Sequence, residues 1–228
     1  MCGRYTLKSR ADVVAKAFGV SVPDPLPARY NIAPSQRVLA IRNQPQRELV
    51  GLRWGLVPCW ADDPGIGSRL TNARSETAAT KPAFRGSFRS RRCLILADGF
   101  YEWQAIDGRK QPYYIRLTSG EPFGMAGLWD RWEKGDPPIE SCAILTCDAN
   151  EAMRTIHGRM PVILPPASFD RWLDAGSHDV RPLLRPFDAD AMTLYPVSTL
   201  VNSVRNESAQ CVEPGQAVEK QTRLFGTD

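Results

Sequence analysis

CLILADGFYEW, residues 93–103, is the stretch whose reading decides the fold. Cys93–Ala97 is a continuous apolar run, too short for a buried helix and suited to a strand covered on both faces. Asp98 and Gly99 supply turn chemistry. The chain then resumes as Phe100–Trp103, rich in aromatics, where alternation puts Phe100 and Glu102 on one face. Asp107–Gly108 next reads as a hairpin turn into QPYYIRL. Strand, turn, strand, turn, strand is the grammar of a sheet protein.

Working outward, further strands are expected at Val38–Arg42, Glu48–Trp54, Phe123–Leu128, Cys142–Thr146, Met160–Leu164 and Met192–Val197. A first helix follows Ser9 as cap, with Ala11, Val14, Ala15 and Phe18 on one face and Gly19 as its stop. Ser75 caps a short helix over Glu76–Ala79, cut off by Pro82, and another covers Ala167–Leu173. A proline-rich loop, VPDPLPARYNIAPSQ, separates the first helix from the first strands. The expected fold is α+β: one compact, β-rich domain over residues 1–213, with mixed or antiparallel sheet and a few short helices. The polar stretch 214–228 is expected to fray.

The chain has 228 residues and a net charge of only +4, but the charge is unevenly placed. Arg69 to Arg92 holds seven bases and one acid, Glu76, giving +6 and leaving −2 for the rest. A local excess of this kind is an electrostatic footprint for phosphates, or else a solvated arginine-rich surface. The start, MCGRYTLKSR, lacks the apolar core of an export signal, and no run is long enough to span a bilayer. A cytoplasmic protein that makes no membrane contact is expected. The six cysteines form no CxxC pair and there are two histidines, so no metal site and no cofactor is expected. No coiled-coil seam is visible, and a monomer is expected.

Cys2 stands out for its position. Removal of Met1 would leave a 1,2-aminothiol, whose α-amine has a reference pKa of about 7.7–8.0 and is partly neutral at physiological pH. A neutral amine condenses with an aldehyde to an imine, and the adjacent thiol closes a thiazolidine. The bland alternative is a buried small hydrophobe. Glu102, set among Phe100, Tyr101 and Trp103, is either a carboxyl whose ionisation burial resists or a strand-edge glutamate facing water. His157, in IHGRMPVIL, is a candidate acid or base, or a histidine bonded to backbone; His178 reads as a loop residue. Asn72 can orient a sugar or supply turn chemistry. Arg74 and Arg159 can fork onto phosphate oxygens. Trp54 and Trp60, bracketing GLVPC, are either base-stacking platforms or core.

The order of these blocks is more specific than any one of them. MCGRY at 1–5, YNIAPSQ at 30–36, WGLVPCWA at 54–61, NARSETAATKPAFR at 72–85, RRCLILADGFYEW at 91–103 and HGRMPVIL at 157–164 resemble the SOS-response-associated peptidase family, also called abasic-site processing proteins. The resemblance runs from Met1 to about Asn206. It implies that Cys2 forms a thiazolidine crosslink with the abasic aldehyde in single-stranded DNA, shielding the site from strand cleavage during a DNA damage response. It implies that Asn72, Glu102 and His157 complete the active site, that Arg4, Arg74, Arg85 and Arg159 grip the DNA backbone, and that Trp60 lies beside the DNA junction. Bound to DNA, such a protein would be associated with the nucleoid. The family's peptidase label keeps a Cys2-dependent peptidase or amidohydrolase open as an alternative, and class II glutamine amidotransferases also begin Met-Cys-Gly. A DNA-binding module without chemistry is the third reading, resting on the Arg69–Arg92 cluster.

Overall fold

Asp98 is a corner between two sheets, and the residues on either side of it belong to different ones. A computed structural model describes residues 2–43, 46–177 and 179–217. The expectations placed on Met1, His178 and residues 218–228 lie outside the described residues. In chain order the strands are β1 (Arg4–Leu7), β2 (Arg29–Ile32), β3 (Arg37–Asn43), β4 (Arg47–Trp54), β5 (Asn72–Arg74), β6 (Arg92–Ala97) and β7 (Gly99–Ile106). They continue as β8 (Arg109–Leu117), β9 (Phe123–Trp132), β10 (Ile139–Asp148), β11 (Arg159–Pro161), β12 (Ile163–Leu164) and β13 (Met192–Pro196). The helices are short: α1 (Ala11–Phe18), α2 (Ser75–Ala78), α3 (Arg85–Ser90), α4 (Glu151–Arg154) and α5 (Phe169–Leu173).

One sheet has the order β13-β8-β7-β1-β2 and is antiparallel throughout. In the other, β10 pairs β4, β4 pairs β3, β3 pairs β6, β6 pairs β9, and β9 pairs β10 again. That ring closes the sheet into a five-stranded barrel, with β5 and β11 joined to β10 and β12 joined to β9. The two parallel pairings, β10 with β4 and with β5, make the sheet mixed. The expected α+β, β-rich single domain is the fold observed. No helix among the described residues is long and apolar enough to cross a membrane.

Burial explains the apolar run. All six residues of β6 are buried, as a barrel strand covered on both faces requires. Asp98 is 2% exposed, yet its carboxylate is fully engaged. Thr6 Oγ1 donates to Oδ1 at 2.5 Å, while the N–H groups of Lys8 and Ser9 and the Ser9 hydroxyl donate to Oδ2 at 2.6, 2.7 and 2.9 Å. The cluster ties the β6–β7 corner to the end of β1 and the entry to α1. Ser9 therefore does not cap α1 as the sequence suggested: its hydroxyl is committed to Asp98, and Arg10 holds the cap position with no side-chain bond. Gly19 does end α1, at φ 64°.

The other departures are local. β1 and β2 lie in segments with few strand signals, and β2 forms inside the proline-rich loop because β1 is there to pair with it. β5 is three residues long and is held by β10. α3, in an arginine-rich stretch, was not expected. Ser75 is the first residue of α2 and caps nothing. The expected strand over Met160–Leu164 is two pieces with different partners, β10 and β9. At the far end Pro214 bridges to Val197, and the Gly215 N–H donates to the Pro196 carbonyl at 2.8 Å.

Gly99 is the position where the corner tolerates nothing larger. A Cβ there would meet the Tyr114 hydroxyl oxygen at 2.1 Å, and that hydroxyl is itself 2.8 Å from Thr6 Oγ1. Gly99→Ala is expected to lower unfolding stability by about 1–3 kcal/mol, the usual cost of overpacking a core. Urea denaturation checks this, and an unchanged midpoint would show that Tyr114 yields freely.

Candidate functional site

Cys2 sits just ahead of β1 and is fully buried. β1 runs antiparallel to β7 with Arg4 opposite Tyr101 and Tyr5 opposite Phe100, so continuing the register brings Gly3 level with Glu102. From the other sheet, β5 delivers Asn72, whose side-chain amide donates to the Cys2 carbonyl at 3.0 Å and to Thr71 Oγ1 at 3.2 Å. His157 lies in the turn between α4 and β11. Gln104 of β7 reaches that turn, donating from Nε2 to the Thr155 carbonyl at 2.7 Å. β5 and β7 thus carry Asn72 and Glu102, while Cys2 lies just ahead of β1 and His157 just ahead of β11.

The electrostatics link the group. Burial, reinforced by the negative charge of Glu102, raises the Cys2 thiol far above its ordinary value, so the sulfur is held as S–H. Its bond to the Arg4 carbonyl, at 4.0 Å from Sγ, is weak. Glu102 is 3% exposed, and burial raises its carboxyl above the ordinary carboxylate range. The Arg159 N–H points at His157 Nδ1 from 3.0 Å. The Arg159 carbonyl lies 3.2 Å from the same nitrogen, so both backbone groups of Arg159 hold the ring by its Nδ1 edge. Asn72 Oδ1 is buried and has no partner among the described residues, leaving one acceptor unused beside Cys2.

The basic residues separate into committed and uncommitted ones. Arg4 donates to Asn31 Oδ1 and the Val201 and Asn202 carbonyls at 2.7, 2.6 and 3.2 Å, and its guanidinium lies 5.9 Å from the centre of the Trp103 ring. Arg159 is forked onto Glu76 at 2.7 and 3.0 Å and also bonds Asp148 at 2.8 Å and the Thr146 carbonyl at 2.6 Å. Arg74 is exposed at the end of β5, close to the cysteine site in sequence and sheet register. Arg85 and the half-exposed Trp60 line a separate cleft. Trp54 is core: it is 1% exposed, packs edge-on to Tyr5 and donates to the Thr71 carbonyl, which removes it as a stacking platform. Arg92, counted in the basic segment, is buried and spends its donors on carbonyls of Phe88, Arg89, Trp172, Asp174 and Ser177.

Sequence reasoning missed Glu76 and Asp148, the counter-ions of Arg159. Glu76 had a visible signal, as the lone acid in a strongly basic segment. It also missed Thr71 and Gln104, which carry no pattern and act only through tertiary placement. Among the described residues no group of three potential metal ligands gathers.

The site is thus a cysteine–asparagine–glutamate–histidine constellation of one buried thiol, one buried carboxyl and one imidazole, set at the seam of a small barrel and an antiparallel sheet. The chain belongs to the SOS response associated peptidase (SRAP) family, whose family model matches residues 1–204. The abasic site processing protein YoqW of Bacillus subtilis (strain 168) is 43% identical over 222 residues, covering 93% of this chain and 99% of that one. The abasic site processing protein HMCES of Gallus gallus is 38% identical over 197 residues, 74% of this chain and 58% of that one. A solved protein from Bacteroides thetaiotaomicron superposes with a TM-score of 0.85 at 27% identity, over 94% of this chain and all of the other.

The raised thiol has a direct consequence for reagents that need a thiolate. Cys59 is exposed and Cys2 is buried. In a brief iodoacetamide pulse on the folded protein, Cys59 is expected to alkylate at least about tenfold faster than Cys2. Peptide mass spectrometry reads this, and equal labelling would show that the thiol is open to solvent.

Proposed function

We propose that this protein processes abasic sites in single-stranded DNA by covalent capture at Cys2, once Met1 has been removed. The supporting observation is the state of Cys2: its backbone is fixed by Asn72, and its thiol is buried and protonated beside a buried carboxyl. A cysteine peptidase needs a thiolate, or a base poised to make one. Capture by an aminothiol begins instead with the amine. The α-amine adds to the aldehyde carbon of the open deoxyribose to give a carbinolamine, which expels water to form the imine. The thiol then adds across that C=N bond, its proton passing to nitrogen, and the thiazolidine closes. One water leaves in all, and no cofactor enters. Because the imine is consumed, the electron sink that would drive strand cleavage is gone.

Each neighbour has a role in this sequence. Asn72 positions Cys2, which converts an encounter into an oriented approach. Glu102 takes the proton as the sugar ring opens and as the amine attacks. His157 protonates the departing sugar oxygen. Arg74 and Arg85 offer uncommitted positive charge to the backbone. Arg4 supports β1 and Trp103 from behind, and Arg159 reaches a phosphate only by exchanging it for Glu76 and Asp148. Lys and Arg contacts make affinity fall with salt. The reading includes a monomer acting in the cytoplasm and held at the nucleoid while bound. The names of the SRAP relatives agree with it.

The test is a denaturing gel of protein confirmed to start at Cys2, incubated with a single-stranded oligonucleotide bearing one abasic site. A shifted band that needs no borohydride and vanishes in Cys2→Ala is the expected result; its absence from the unmutated protein removes the proposal. The pH profile tests Glu102. A base works in its ionised form, and burial raises the carboxyl, so the rate should fall as pH drops through a value above the ordinary 4.5. Glu102→Gln should slow capture by about 10²-fold or more and abolish that limb, leaving the titration of the amine near pH 8. An unchanged profile would take the proton transfer away from Glu102.

A further inference from the structure

A cleft of about 820 Å³ has a lining that includes none of Cys2, Asn72, Glu102 or His157. α3 lines one side, Ser177 and Arg181 also contribute to the lining, and Trp60 and Cys59 complete it. Its charge is lopsided: five arginines (85, 89, 91, 92 and 181) face one acid, Asp130. Two of the five are spent. Arg92 serves buried carbonyls, and Arg91 Nε lies 3.2 Å from Asp130 Oδ1. The other oxygen of Asp130 accepts from the Cys59 N–H at 3.1 Å. Arg85, Arg89 and Arg181 are exposed and have no ion pair among the described residues.

Ser87 gives an independent sign of a missing partner. It is 1% exposed, it lines the cleft, and its hydroxyl has no hydrogen-bond partner among the described residues. A hydroxyl buried without a partner costs stability, and it persists where a ligand satisfies it. A helical serine that does not bond back to its own turn leaves its donor available to the cleft. Trp60, 53% exposed, offers a flat face for a base.

We propose that this cleft holds a phosphate monoester, the terminal phosphate of a DNA strand, with the end nucleotide's base stacked on Trp60. The choice of monoester follows from the charge. An internal phosphodiester brings one negative charge and two free oxygens, whereas a terminal phosphate brings close to two charges and three acceptor oxygens at neutral pH. Three uncommitted guanidinium groups and a buried hydroxyl match the latter. The inference rests on the DNA-binding reading and extends it: the protein would favour a strand that ends near the captured site, at a gap or a broken end, over a continuous one.

The test uses the full chain and a fluorescein-labelled tetrathymidylate carrying a 5′-phosphate, a 3′-phosphate or neither, read by anisotropy. One phosphorylated form should bind about tenfold more tightly than the bare oligonucleotide, the worth of one charged hydrogen-bonding contact. Arg89→Ala and Arg181→Ala should erase that preference, and Ser87→Ala should reduce it severalfold. Equal binding of all three oligonucleotides, or a preference that survives both arginine variants, overturns the proposal. Thymidine monophosphate and inorganic phosphate serve as competitors. If inorganic phosphate displaces the probe as well as the nucleotide does, the ligand is the free ion and the strand-end assignment falls. Crosslinking of the wild-type protein to an internal abasic site, run in parallel, reports on the Cys2 site separately, so that failure of one reading is distinguishable from failure of the other.

Discussion

The buried carboxylate of Asp98 is the interaction on which the rest of the structure depends. A charge removed from water at this depth is tolerable only when its lone pairs are filled, and here four donors from Thr6, Lys8 and Ser9 fill them. Those donors belong to the end of β1 and the entry to α1, while Asp98 itself turns the chain from the barrel into the second sheet. Two architectures are therefore joined at one residue. The same bond set fixes the register of β1 against β7, and that register decides where Cys2 lies relative to Glu102. Fold and site share a single anchor, whose Thr6 end lies only a few residues along the chain from Cys2.

Around the site the protein keeps positive charge in two forms. Arg159, forked onto Glu76 and backed by Asp148, is neutralised where it stands, and the pairing lowers the Glu76 carboxyl below its usual range through the bond to Arg159. Both acids are substantially exposed, so water and salt screen the pairs and each is worth little as a source of stability. On the proposed reading their effect is on recognition: a phosphate arriving at Arg159 would exchange one anion for another and gain less than it would at a bare guanidinium, whereas Arg74 and Arg85 present their charge unopposed. Encounter and final placement would then fall to different arginines.

Much of this was legible in the chain. The strands of the barrel announce themselves as apolar runs bounded by turns, because a closed sheet buries both faces and requires such runs. The candidate-site residues stand in ordered motif blocks, and Glu102 is also marked by its aromatic setting. What escaped has one physical cause: it is made by tertiary pairing. β2 and β5 are strands only because β1 and β10 offer them hydrogen bonds. Ser9 reads as a helix cap until Asp98 claims its hydroxyl. Trp54 and Trp60 are equivalent in sequence, five residues of loop between them, yet one is core and the other faces solvent. Ser87 gives no signal in sequence, since an unsatisfied hydroxyl is a property of its surroundings.

The closure of the barrel by β10 also sets an order of events during synthesis. β10 pairs with β4 and β5, strands that precede it by some seventy to ninety residues, and such distant contacts form late. Asn72 is held on β5 by that same β10, and His157 follows it in the chain. Cys2 therefore receives its neighbours late, once strands far along the chain have been made. The pocket that buries its thiol is in this sense a product of the whole domain, and no shorter part of the chain contains it.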